Sequence, residues 1–154
     1  MAKIDKTAVA EGEMQVVAFK LRKEEYSFNI LNVQEIKDLM DITRVPYASD
    51  FIKGVINLRG SVLPVIDLKK RLGLMDTPYT DDTRIVIVKV EDVSVGMVVD
   101  GVTEVLVFNQ SEIEVAKSVN NEIGRFISGI GKRNDRLVIM LDLDAIVGVT
   151  DELK

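Results

Sequence analysis

Apolar and polar residues alternate along most of this chain. From Met14 onward Val17, Phe19 and Leu21 alternate with Ala18, Lys20 and Arg22. After the charged tip Arg22-Lys23-Glu24-Glu25 the alternation resumes with Tyr26, Phe28 and Ile30. A period of two marks a strand with one buried face, and two such runs about a short tip predict a β-hairpin. The pattern recurs. Residues 54–58 and 61–66 flank Arg59-Gly60, where Gly60 supplies the positive φ that a tight turn needs. Residues 84–90 and 93–100 flank Glu91-Asp92, and residues 125–132 and 136–141 flank Asn134-Asp135. Further strand is predicted over 33–36 and 102–108. Pro64 cannot donate to a ladder and predicts an edge strand or a bulge. Asp67 and Asp142 each precede a short apolar run and read as N-caps of helical turns over 68–72 and 142–147, with Gly73 as a stop. Residues 1–13 read as a mobile tail, 74–82 as a linker, 109–121 as polar and ambiguous, and 151–154 as a frayed end.

The chain also matches itself. Displaced by 69 positions without gaps, Val17 falls on Val86, Phe19 on Val88, Tyr26 on Val95, Phe28 on Met97, Val33 on Val102 and Glu35 on Glu104. Displaced by 75, Phe51 falls on Phe126, Gly54 on Gly129, Val62 on Leu137, Asp67 on Asp142 and Gly73 on Gly148. Any two strand-rich segments align on Val and Ile, but the shared Phe-Ile-x-Gly and Asp-Leu sequences go beyond β composition. Self-similarity at a long fixed period signals a repeated structural unit. The expectation is one domain over 14–150, with repeat halves 14–75 and 83–148, and with strand exchange between the halves left open. Each half holds about five short strands and a helical turn, enough to curl into a small barrel that protects most of its edges. The predicted fold class is therefore mostly β, two five-stranded barrels side by side. A groove between them is a natural binding site.

Composition narrows the chemistry. The chain has no Cys, which removes disulfides, thiolate nucleophiles and Cys-bound zinc. It has no His, the commonest general base near neutral pH and the commonest metal ligand. Net charge is −5, and the densest basic run, Lys69-Lys70-Arg71, is short and set in an apolar pattern. Nucleic acid is not an expected partner. The first thirteen residues lack the apolar core of a signal peptide, and no apolar run reaches the roughly 20 residues of a membrane span. A soluble cytoplasmic protein is expected.

Candidate chemistry is sparse. Asp67, Asp100 and Asp142 adjoin apolar runs, where burial can raise a carboxyl pKa towards catalytic use. Capping explains Asp67 and Asp142 better, because they occupy equivalent repeat positions before helical turns. Asp100 precedes Gly101 and reads as a turn residue, and its repeat partner is Leu31, so a symmetric carboxylate pair is missing. There is no glycine-rich phosphate loop and no nucleophile elbow. No catalytic residue, metal or cofactor is expected. Arg59 differs from its repeat partner Asn134, so the framework does not require an arginine there. An exposed Arg beside Gly suits bidentate binding of a partner carboxylate or carbonyl, and Arg is enriched among interface hot spots. Glu35 and Glu104, equivalent to each other, read as strand-face residues.

The run Phe51-Ile-Lys-Gly-Val-Ile-Asn-Leu-Arg-Gly60, followed by Val62-Leu-Pro-Val-Ile-Asp-Leu68, resembles the signature of CheW-like domains. Asn32-Val-Gln-Glu-Ile36 and Gly96-Met-Val-Val-Asp-Gly-Val-Thr-Glu-Val105 fit the same family, and the similarity runs from about Met14 to Val147. The resemblance implies two SH3-like barrels around a shared groove. It further implies a stand-alone, non-enzymatic chemotaxis adaptor, since the chain has no room for the kinase or receiver domains that longer family members carry. The implied partners are the cytoplasmic hairpin tip of chemoreceptors and the regulatory domain of the histidine kinase CheA, itself CheW-like. An adaptor in a non-motility chemosensory pathway is the alternative. Carried over by position, Val33, Glu35, Arg59, Val62, Val102 and Val105 fall where the family contacts receptor, and Gly54 where it faces or supports the kinase surface.

Overall fold

The computed structural model describes residues 12–115 and 122–148. The predicted tail up to residue 11, residues 116–121 of the ambiguous stretch, and the predicted end over 151–154 lie outside them. In chain order the described strands are β1 (Glu13–Leu21), β2 (Glu24–Asn29), β3 (Val33–Asp38), β4 (Ile52–Leu58) and β5 (Ser61–Asp67). After helix α1 (Leu68–Arg71) come β6 (Arg84–Val90), β7 (Val93–Val99), β8 (Gly101–Asn109), β9 (Ile113–Val115), β10 (Ile127–Arg133) and β11 (Arg136–Leu141). Helix α2 (Leu143–Val147) follows. All four predicted hairpins form, β1–β2, β4–β5, β6–β7 and β10–β11. Both predicted caps form as well: the Asp67 carboxylate accepts from the Lys70 N–H and the Asp142 carboxylate from the Ala145 N–H.

The protein is mostly β, in two curled sheets. One has six strands in the order β8-β1-β2-β11-β10-β9, the other five in the order β3-β6-β7-β5-β4. Neither half closes on itself; the strand exchange that the sequence left open is what occurs. The leading hairpin of each half, β1–β2 or β6–β7, is inserted between strands of the other half. The joins are equivalent: β5 pairs parallel with β7, and β11 pairs parallel with β2. The strand order is thus the same in both sheets, and β9 is an addition to the first.

This exchange accounts for the core. On β1, Val17, Phe19 and Leu21 enter a central cluster with Val86, Val88 and Val90 of β6, while Val16 and Ala18 face the inside of the six-stranded sheet. Likewise Ile85 and Ile87 of β6 face the inside of the five-stranded sheet. Both faces of the exchanged strands are therefore buried, which is why their sequences run apolar at consecutive positions. The rings of Phe19 and Phe28, both fully buried, meet at 4.6 Å between centroids near the centre. Burial of each contributes about 1.5–3 kcal/mol.

Arg71, at the end of α1, ties the two helical turns together. Its guanidinium lies 4.1 Å from the Phe51 ring centroid and 5.0 Å from that of Phe126, the repeat pair, and its Nε donates to the Ile146 carbonyl at 2.8 Å. Of the two expectations for Pro64, the edge fails and the bulge has a counterpart next to it, a register irregularity of the β4–β5 ladder between Ile52 and Gly54. The strand that holds Pro64, β5, lies between β7 and β4 and is no edge. Val55, opposite Pro64, spends its N–H and C=O on Thr43, so the missing donor of Pro64 is not needed by β4. The β7 ladder begins one residue later at Val65, so no bond is lost on that side either.

Candidate interaction face

The β4–β5 turn holds Arg59 and Gly60 at φ 51° and 85°, the positive pair that matches the twist of a two-residue hairpin. The Asn57 side chain accepts from the Gly60 N–H at 3.0 Å and locks the turn. Asn134, the repeat counterpart of Arg59, also has positive φ, at 55°. Asn tolerates this conformation well; a long side chain such as Arg does so with more strain. The backbone at this turn thus favours the residue found in the second half, and Arg59 departs from it.

From this turn the guanidinium reaches across to β3. Its Nη1 donates to Glu35 Oε1 at 3.3 Å and its Nη2 pairs with Glu35 Oε2, a fork-to-fork arrangement. Lys37 Nζ lies 3.9 Å from the same carboxylate. The Arg59 guanidinium holds the Glu35 carboxyl below the ordinary carboxylate range, against a smaller opposing effect of burial. The Arg59 side chain is 67% exposed and Glu35 26%. Val62, opposite Asn57 on β5, is 63% exposed. The result is a face with one neutralised carboxylate, two cations and an apolar side chain beside them. Arg59 is held in place yet keeps N–H donors for an acceptor from outside.

The other expected residues divide. Val33 is fully buried in the central cluster and supports β3 from beneath; no partner can touch it without unfolding that strand. Val102 and Val105 lie on β8 of the six-stranded sheet, opposite Phe19 and Val17 of β1. Val102 packs on the central cluster, whereas Val105 is 41% exposed. Gly54 is buried, and a Cβ there would lie 2.3 Å from the Thr43 carbonyl oxygen. Residues 42–43 are held to β4 by two backbone bonds of 2.8 Å between Thr43 and Val55. Gly54 therefore secures the loop that leads into β4, a supporting role. Gly60, Asp67 and Asp142 do the turn and capping work expected of them.

The chain belongs to the CheW-like domain family. The family model matches residues 15–150. Chemotaxis protein CheW of Bacillus subtilis is 39% identical over 140 residues, 90% of this chain and 89% of that protein. Chemotaxis protein CheW of Helicobacter pylori is 36% identical, covering 89% of this chain and 83% of its own length. The crystal structure of the scaffolding protein TtCheW from Thermoanaerobacter tengcongensis superposes with a TM-score of 0.84 at 35% identity, over 92% of this chain and 97% of that one.

Within this CheW-like domain several residues escaped the sequence reading. Arg136 at the start of β11 grips Glu25 of β2 with two bonds of 2.8 Å and Glu104 of β8 at 2.7 Å. Leu137 beside it is 56% exposed, at the position equivalent to Val62. Each sheet thus presents a Glu–Arg pair next to an exposed apolar residue. The pairing of Val62 with Leu137 was available from the repeat, but their shared exposure was not. Asp100 is a structural ion pair: its Oδ1 lies 2.8 Å from Nζ of Lys69, whose side chain is 4% exposed, and its Oδ2 accepts from the Arg22 N–H. Among the described residues no helix is long and apolar enough to cross a membrane, and no group of three or more acidic residues could hold a metal ion.

Proposed function

We propose that this chain is a non-enzymatic cytoplasmic adaptor of bacterial chemotaxis that joins the cytoplasmic tips of chemoreceptors to the histidine kinase CheA. It is recruited in this way to receptor arrays at the membrane. Family membership and the scaffold and chemotaxis names of its relatives support the general role. The observation that carries the receptor contact is Arg59: an arginine kept at a positive-φ turn position, exposed, and oriented by Glu35. A receptor hairpin is helical, and its tip offers carbonyls, carboxylates and apolar side chains. Arg59 and Lys37 meet the first two, and Val62 the third; Val105 adds apolar contact from the other sheet. Val33, Val102 and Gly54 act by holding these residues in position. The regulatory domain of the kinase, a CheW-like domain itself, docks barrel to barrel on a surface whose shape depends on the loop secured by Gly54.

Titration calorimetry against a receptor-tip fragment and the kinase regulatory domain tests this, with Arg59→Glu as comparison. Both partners bind the wild type, and the variant loses receptor affinity alone, by at least about tenfold, since a charge reversal replaces attraction by repulsion. Equal binding by the variant removes Arg59 from the receptor contact. Absence of binding to either partner overturns the adaptor reading.

A further inference from the structure

Each sheet pairs one arginine with the equivalent glutamate, but the arginine stands at different places in the two halves. In the first half it is Arg59 of the turn, and the residue two positions on is Ser61. In the second half the turn position is Asn134, and the arginine is two positions on, Arg136 of β11. Both reach the same partner, because Glu35 and Glu104 are repeat equivalents. A second position changes in step. Ser94 of β7 donates to Gln34 of β3 at 3.0 Å, and at the equivalent contact Thr103 of β8 donates to Glu25 of β2 at 2.8 Å. A neutral serine in one half is thus a carboxylate in the other, and Arg136 grips that carboxylate through Nε and Nη2 at 2.8 Å each.

The shift by two residues changes what an outside group meets. Arg59 spends Nη1 and Nη2 on one carboxylate, and among the described residues no acceptor meets its Nε. With Lys37 beside it, its face has one cation in excess. Arg136 spends Nε, Nη1 and Nη2 on two carboxylates, and its side chain is 36% exposed against 67% for Arg59. Lys20, opposite Glu25 on β1, balances the second carboxylate, so this cluster is neutral and its donors are spent. A partner's carbonyl or carboxylate therefore finds directed donors and a favourable charge on one sheet only. Val62 and Leu137 are alike in exposure and do not tell the faces apart. We propose that the position of this arginine directs the receptor tip to the five-stranded sheet, and that Arg136 is the specificity-determining residue that closes the equivalent face of the six-stranded sheet. The inference rests on the receptor reading of Arg59 and adds what decides between two similar halves.

The test moves the arginine and follows a receptor-tip fragment by calorimetry and backbone amide NMR on the full chain. On the wild type the fragment shifts the Val62 amide and leaves that of Leu137 in place; equal shifts at both overturn the inference without any variant. Arg59→Asn with Ser61→Arg writes the second-half arrangement into the first and keeps an arginine beside Glu35. This variant loses receptor affinity by at least about tenfold. Adding Asn134→Arg, Arg136→Ser and Glu25→Ser opens the other face, with Lys20 as its extra cation. Most of the affinity returns, and the shifts move from Val62 to Leu137. Binding of the kinase regulatory domain at wild-type affinity shows that both variants are folded. The inference is overturned if the first variant binds the fragment like wild type, since any arginine beside Glu35 would then suffice. It is equally overturned if the second variant binds the kinase domain but not the fragment, or binds the fragment with shifts still at Val62. A wild type that ignores the fragment overturns the receptor reading itself, and this inference with it.

Discussion

Asp100→Asn removes one charge and leaves the shape of the side chain unchanged, at a place where that charge has a defined partner. Lys69 Nζ lies 2.8 Å from Asp100 Oδ1 and its side chain is 4% exposed, while Asp100 is 19% exposed. Removing one member of a buried pair leaves an uncompensated charge, at a typical cost of about 3–5 kcal/mol. Asp100 retains some water contact and Lys69 keeps its bond to Thr77, so the cost falls at or just below the bottom of that range, about 2–3 kcal/mol. For a domain of this size each kcal/mol lowers Tm by roughly 2–4 °C, so the variant melts about 4–12 °C below wild type. Urea unfolding at pH 7, followed by circular dichroism, measures the loss directly as a lower midpoint at unchanged slope. The double variant Lys69→Met with Asp100→Asn removes the stranded ammonium and recovers most of the loss, because the cost lies in the unpaired charge. A loss for Asp100→Asn below about 0.5 kcal/mol, the range of ordinary surface substitutions, would refute the reasoning. So would a double variant no more stable than the single one.

Three further outcomes follow from the same contacts. Gly54→Ala places its Cβ within 2.3 Å of the Thr43 carbonyl oxygen, so residues 42–43 detach from β4 and the Thr43 and Val55 amides lose their protection in hydrogen exchange. The Arg136 guanidinium holds the Glu25 carboxyl below its ordinary range, so its contribution to stability is fully present above the unfolded carboxylate pKa of about 4.3 and is lost as pH falls through the folded value. Urea midpoints of wild type and Glu25→Gln therefore differ most at pH 7 and converge below about pH 4, and a gap that stays constant with pH refutes the linkage. Arg71→Met gives up the Phe51 and Phe126 ring contacts and the bond to the Ile146 carbonyl, at about 1–3 kcal/mol, read by thermal melting.

Much of the fold was legible because it is written in local patterns. Alternation located the four hairpins, and Asp67 and Asp142 announced the two helical turns through capping chemistry that needs no tertiary partner. The functional face was half legible. Arg59 stood out against Asn134 because the repeat supplies an internal reference for what the turn requires. Val33 and Val62 look alike in sequence, yet one is sealed in the central cluster and the other is 63% exposed. Alternation tells which residues share a face of a strand, but not what covers that face.

Sequence by itself determined the β class, the hairpins and their turns, the caps and the family, since all of these depend on residues near one another in the chain or on the order of motifs along it. Only the tertiary structure decided which half each hairpin completes, because β1 and β6 carry strand patterns that satisfy either sheet and the choice rests on contacts between distant residues. The same reason hid the partners of Asp100, Arg71 and Arg136. A charged side chain next to an apolar run reads identically whether its counterion is water or a lysine 31 positions away, as Lys69 is from Asp100.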